Sequence, residues 1–229
     1  MNTQNSEHIR LCMYLAQTVY SDAIDPSENS FSIQGRFDGQ AIITETKCGK
    51  LVIAFRGSES CTDWLVNMLR YRRRFHCIKG ALVHAGFLMQ HMAMWDQTIK
   101  HLSSCMDRYN DILVTGHSLG GALATLFAAR ISCLYPELSV SCYTFGTPRV
   151  GNLKFVEGIH MLTNLSILRV NNANDVATWA PFCGFMHTPE VIQIPVNNVS
   201  WYNVRARHSI VRMNEKFIDN KPPECERLT

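Results

Sequence analysis

The stretch from Ile112 to Ile131 constrains the fold more than any other part of this 229-residue chain. Ile112-Leu113-Val114 reads as a fully buried strand. After Gly116-His117-Ser118-Leu119-Gly120, the apolar residues Leu119, Ala122, Leu123, Leu126, Phe127 and Ile131 recur at helical spacing. A strand that runs through a tight turn into a helix pushes the serine hydroxyl out of the sheet top, at the positive end of the helix. Gly116 and Gly120 remove the side chains that would keep strand and helix apart. The arrangement marks Ser118 as a candidate nucleophile.

The remaining pattern fits the same architecture. Ile9, Met13, Ala16 and Tyr20 mark an opening amphipathic helix ending near Asp22. Residues 31–37 and 41–44 read as short strands around an Asp38-Gly39 hairpin signal. Leu51–Phe55 is a dense apolar strand, and Phe87, His91, Met94, Trp95, Thr98 and Leu102 form the inner stripe of a long helix. Strands at 140–145 and 166–170 flank a helix at 153–161, and Val191–Ile194 is the last clear strand before a less regular tail. Apolar strands alternating with helices indicate a mostly parallel sheet covered on both faces. The expected class is α/β, with one domain over residues 1–229.

Composition narrows the function. The chain is 46% hydrophobic and 18% charged, which suits a buried core rather than disorder. A net charge of +3 is too mild to indicate nucleic-acid binding, and no apolar run reaches transmembrane length. Nine cysteines form an odd count with no C-x-x-C pair, so neither a disulfide framework nor a zinc site is expected. The first ten residues are polar and lack an apolar signal core. Together these features favour an intracellular, cytoplasmic setting.

A reactive serine needs a base, and the base needs an acid to orient it; in a sheet of this kind the chain order is Ser, acid, His. Asp175 follows the strand at 166–170, where the loop reaches the sheet edge that carries ligands. Its competitors are few: Glu190 begins a strand, and Asp219, Glu224 and Glu226 lie in the polar tail. Of the two later histidines, His208 follows the strand Val191–Ile194 and His187 precedes it. Chain order favours His208 as the base and leaves His187 to shape the Asp175 loop. His117 is taken as a packing residue. The backbone N–H of Leu119 is one expected donor to an oxyanion. Ser58, in the Arg56-Gly57-Ser58 turn, is either a second donor or part of an ordinary Gly-Ser turn.

These segments resemble the class 3 (fungal-type) triacylglycerol lipases of the α/β-hydrolase fold. The likeness rests on five ordered motifs: residues 52–58 with Asp63-Trp64-Leu65, residues 83–87, residues 116–122, residues 145–152, and Asn174-Asp175-Val176. It implies hydrolysis of lipid acyl esters, with Ser118, Asp175 and His208 as the triad and Ser58 with Leu119 as the oxyanion hole. It also implies a short amphipathic lid at residues 59–68, from Glu59 to Met68, with an apolar face from Trp64, Leu65, Val66 and Met68. The sequence departs from the family pattern at Asn67, at Arg207, and at residues 177–181, where a proline-rich stretch is usual. Phospholipase A1 or short-chain carboxylesterase activity fits the same fold, as does a lipid-sensing or protein-binding module without chemistry. No metal or organic cofactor is called for. Arg70, Arg72, Arg73, Arg74 and Lys79 read first as a solvated basic loop; docking to anionic phospholipid is the sharper alternative.

Overall fold

The computed structural model describes residues 3–20, 30–35, 39–46, 49–57, 71–172, 174–182, 184–194, 208–211 and 213. Ser58, the expected lid at 59–68, Arg70 and Arg207 lie outside these. Seven strands form one sheet: β1 (Ser30–Gln34), β2 (Gln40–Glu45), β3 (Leu51–Phe55), then β6 (Asp111–His117), β7 (Ser139–Phe145), β8 (Leu165–Asn172) and β9 (Val191–Ile194), in that spatial order. β1, β2 and β3 pair antiparallel, and from β3 onward every pairing is parallel. Parallel pairing demands crossovers, which α2 (Ala85–Cys105), α3 (Leu119–Leu134) and α4 (Leu153–His160) supply; α1 (Thr3–Thr18) precedes the sheet.

Side-chain alternation along the strands divides the core. Val52 and Leu113 face α1, where they join Ile9, Cys12, Met13 and Ala16. Ile53, Ile112 and Val114 face the other way, onto Phe87, Met94, Leu123 and Phe127 of α2 and α3. All five residues of β3 are buried, which is why it reads as an uninterrupted apolar run. Phe127 stacks on Phe55 with ring centroids 4.4 Å apart. Truncating such a ring to alanine costs about 3–5 kcal/mol.

The expected elements are present with shifted ends. α1 ends at Thr18, and β1 stops at Gln34 because the Gly35 N–H turns to the Gly39 carbonyl at 2.7 Å. A small antiparallel ribbon, β4 (Arg72–Arg74) with β5 (Leu82–His84), had no sequence signal, since three consecutive exposed arginines carry no apolar alternation. Part of the basic cluster is therefore strand rather than loop. Its Arg72 guanidinium lies 5.7 Å from the centre of the Phe185 ring.

Candidate active site

The register of the sheet brings one set of strand ends to a common edge. Phe55 pairs with Gly116, His117 with Phe145, and Phe145 with Val170. The residues that follow β3, β6, β7 and β8 therefore emerge together.

Ser118 occupies the turn after β6 with φ 59°; among the described residues it is the one non-glycine with positive φ. Backbone bonds hold it there: its N–H donates to the Phe145 carbonyl at 2.9 Å, and its own carbonyl accepts from Gly121 N–H at 3.0 Å. Such a conformation costs about 1–3 kcal/mol and persists only where the surroundings enforce it. A Cβ on Gly116 would strike the Gly120 backbone, and one on Gly120 would strike the Phe55 carbonyl. The expected close approach of strand and helix is real, and it extends to β3.

Asp175 is fully buried, two residues beyond the Ala173 position that follows β8. One carboxylate oxygen, Oδ1, accepts from the Ala177 N–H at 3.0 Å. The other accepts from His208 Nδ1–H at 2.7 Å, which leaves His208 Nε2 to accept the Ser118 hydroxyl at 2.6 Å. The three side chains thus form one continuous buried hydrogen-bonded chain. Gly146, at the end of β7 with φ 55°, makes room for it: a Cβ there would sit 2.9 Å from Asp175 Oδ2 and 3.3 Å from His208 Cε1.

Two further histidines support this chain. His187 donates from Nε2 to the Thr178 carbonyl at 2.6 Å, in the 3-10 turn Val176–Trp179 behind Asp175. Burial, with the nearby Arg169 charge, lowers its pKa to about 4. It shapes the Asp175 loop, as expected. His117 does more than pack. Its Nε2 lies 2.7 Å from the His208 backbone carbonyl, and its Nδ1 lies 3.1 Å from the Tyr20 hydroxyl. Burial, reinforced by repulsion from His208, holds its pKa well below the ordinary histidine value. A neutral ring facing a carbonyl must carry its proton on Nε2, so Nδ1 accepts from Tyr20. Strand parity signals this: Leu113, Thr115 and His117 alternate onto one face, and Thr115 already bonds the α1 carbonyl of Cys12 at 3.1 Å.

Leu119 opens α3, and its N–H belongs to the first helical turn, where helix geometry provides no intrahelical acceptor.

A mostly parallel sheet with a strained serine elbow, followed in chain order by acid and histidine, defines an α/β-hydrolase. The family model described as Lipase (class 3) matches residues 52–185, and the chain belongs to that family. A lipase of Caenorhabditis elegans is 30% identical over 201 residues, covering 78% of this chain and 56% of that protein. A secreted mono- and diacylglycerol lipase of Fusarium solani is 28% identical over 158 residues (66% and 45%). A chloroplastic phospholipase A1 of Arabidopsis thaliana is 30% identical over 162 residues (57% and 31%). A solved triacylglycerol lipase, whose catalytic centre is described as a serine protease triad, superposes with a TM-score of 0.73 at 25% identity, covering 85% of this chain and 82% of that one. The chain spans about half the length, or less, of the curated relatives it matches.

These relatives correct one expectation. The intracellular, cytoplasmic setting does not stand, because the Fusarium solani relative is secreted. The inference failed for a physical reason. Cys12 and Cys142 fill core positions as small apolar side chains, a packing role that does not depend on redox compartment. Among the described residues, no helix is long and apolar enough to cross a membrane.

Proposed function

We propose that the chain is a serine carboxylic-ester hydrolase acting on lipid acyl esters, in the manner of a triacylglycerol lipase. The observation that carries this reading is the buried chain Asp175–His208–Ser118, with heavy-atom spacings of 2.7 and 2.6 Å. His208 Nε2 takes the Ser118 proton as Oγ attacks the ester carbonyl carbon, then returns it to the departing alcohol. Asp175 holds the Nδ1–H tautomer and stabilises the imidazolium. Water, deprotonated by the same nitrogen, attacks the acyl-enzyme and releases the fatty acid. The Leu119 N–H, together with Ser58, opposes the oxyanion; losing one such donor costs about 100- to 1,000-fold in rate.

In this reading residues 1–229 form one catalytic domain, residues 59–68 are its lid, and the cluster from Arg70 to Arg74 meets the lipid surface. Exposed Trp179 and Phe182, on the loop that follows Asp175, suit the same contact. Phospholipase A1 activity is the second reading, favoured by the Arabidopsis thaliana relative.

A hydrolysis panel of a short p-nitrophenyl ester, a triacylglycerol emulsion and phosphatidylcholine vesicles tests both, with Ser118→Ala as the blank. Acid release from the emulsion supports the first reading, and release from the sn-1 position of the vesicles supports the second. Turnover of all three undiminished in Ser118→Ala would remove the assignment.

A further inference from the structure

Two cysteines meet away from the serine turn, one in the turn of the ribbon that follows the expected lid and one at the far end of the helix that follows Ser118. Cys77 lies in the turn joining β4 to β5, which is closed by Phe75 N–H to the Ala81 carbonyl and Ala81 N–H to the Ile78 carbonyl. Cys133 lies in the last turn of α3, the helix that begins beside Ser118. The Cys133 thiol donates to the Cys77 main-chain carbonyl oxygen at 3.6 Å, which sets the two residues side by side. Both are partly exposed, whereas Cys142 is fully buried among apolar groups and Cys105 donates to carbonyls of its own helix. Fifty-six positions separate the two residues in sequence, so their contact is a product of the fold.

We propose that Cys77 and Cys133 form a redox-active dithiol, an oxidative modification site that closes to a disulfide with small-molecule disulfides of the glutathione type. The two sulfurs are chemically unequal. The neighbouring Cys133 thiol, aided by the Arg130 charge, lowers the Cys77 thiol pKa, which favours the attacking thiolate. The same pairing pushes Cys133 up, as does its burial. Cys77 is therefore the attacking sulfur and Cys133 the resolving one.

The reaction balances in two exchanges. Cys77 Sγ attacks one sulfur of oxidised glutathione and expels the other as a glutathione thiolate. Cys133 then gives up its proton and attacks Cys77 Sγ, expelling the second glutathione thiolate. The protons lost by the two protein thiols protonate the two leaving groups. Two protein thiols are oxidised, and one small disulfide is reduced to two thiols. The product needs an S–S bond of about 2.05 Å between the side chains of two residues that already touch. It would tie the β4–β5 turn to α3, fixing the ribbon that follows the expected lid against the helix that carries the serine elbow.

The test uses the full chain equilibrated with oxidised glutathione, alkylated and digested without reduction. We expect a peptide pair linked through Cys77 and Cys133, removed by dithiothreitol. In Cys133→Ser, which cannot resolve the first exchange, Cys77 should retain one glutathione. Recovery of both cysteines in alkylated form, or of Cys77 linked to a different cysteine, would overturn the proposal. So would an unmodified Cys77 in Cys133→Ser. The readout is covalent and independent of ester hydrolysis, so its failure and that of the hydrolase reading are separable.

Discussion

The imidazoles of His117 and His208 lie 4.7 Å apart between centroids, and His117 Nε2 donates to the His208 main-chain carbonyl at 2.7 Å. The residue immediately before Ser118 thus holds the backbone of His208. Tyr20, just beyond α1, fixes the other ring nitrogen, so three distant parts of the chain meet in one neutral ring.

Replacing His117 by Leu should leave a buried carbonyl without its donor, at a cost of about 1–3 kcal/mol in unfolding free energy. Because His208 is then free to shift, kcat on a short ester should fall at least about tenfold with KM little changed, since small displacements of a positioned group are costly. Urea unfolding and initial rates check this. A stability loss with unaltered kcat would reduce His117 to packing.

In Asp175→Asn the amide would present a donor to His208 Nδ1 and favour the tautomer protonated at Nε2. That nitrogen could then no longer accept the Ser118 proton. In serine proteases the corresponding change lowers kcat by about 10⁴-fold with geometry intact, and a drop of that order is expected here. Steady-state kinetics on a p-nitrophenyl ester, alongside circular dichroism to confirm folding, provides the measurement.

The backbone of Ser118 should report its own strain. Ser118→Gly relieves the left-handed conformation, whereas Ser118→Ala keeps it. Both variants should be inactive, yet the glycine form should be more stable than the alanine form by about 1 kcal/mol. Thermal unfolding of the two variants side by side decides the point; equal melting temperatures would show that the turn carries no strain.

Acid sensitivity should trace to His91. Its ring is fully buried against Phe75, Trp95 and Phe127, and its Nε2 accepts from Arg130 at 3.2 Å. Burial, with the Arg130 charge, lowers its pKa to about 3 against 6.5 in the unfolded chain. The unfolded state therefore binds the proton first. The contribution is whole above pH 6.5 and is lost as pH falls towards 3, at about 1.4 kcal/mol per unit. His91→Phe should flatten the dependence of urea midpoint on pH across that window. An unchanged slope would place the sensitivity elsewhere, with His187 and His117 the next groups to vary.

Where apolar periodicity was strong, the sequence predicted structure well. β3, α2, β6 and α3 were legible because each buries a whole run or a whole helical stripe. The Ser118–His208–Asp175 chain was legible because topology allows one order and one edge for such groups. β4 was not, since its arginines are exposed and its pairing depends on β5 eight residues later. The role of His117 was missed because adjacency to a tight turn suggested a side chain directed away. β6 in fact continues through that residue, and its parity points the ring at the His208 carbonyl.

The left-handed backbone at Ser118 has a consequence for the making of the protein. That geometry is enforced only once β6 is flanked by β3 and β7 and α3 has docked beneath it. A nascent or partly collapsed chain therefore has an ordinary, unreactive alcohol at this position. In the proposed hydrolase, competence would arrive with the last of these contacts, and the chain would be inert towards esters while it is still folding.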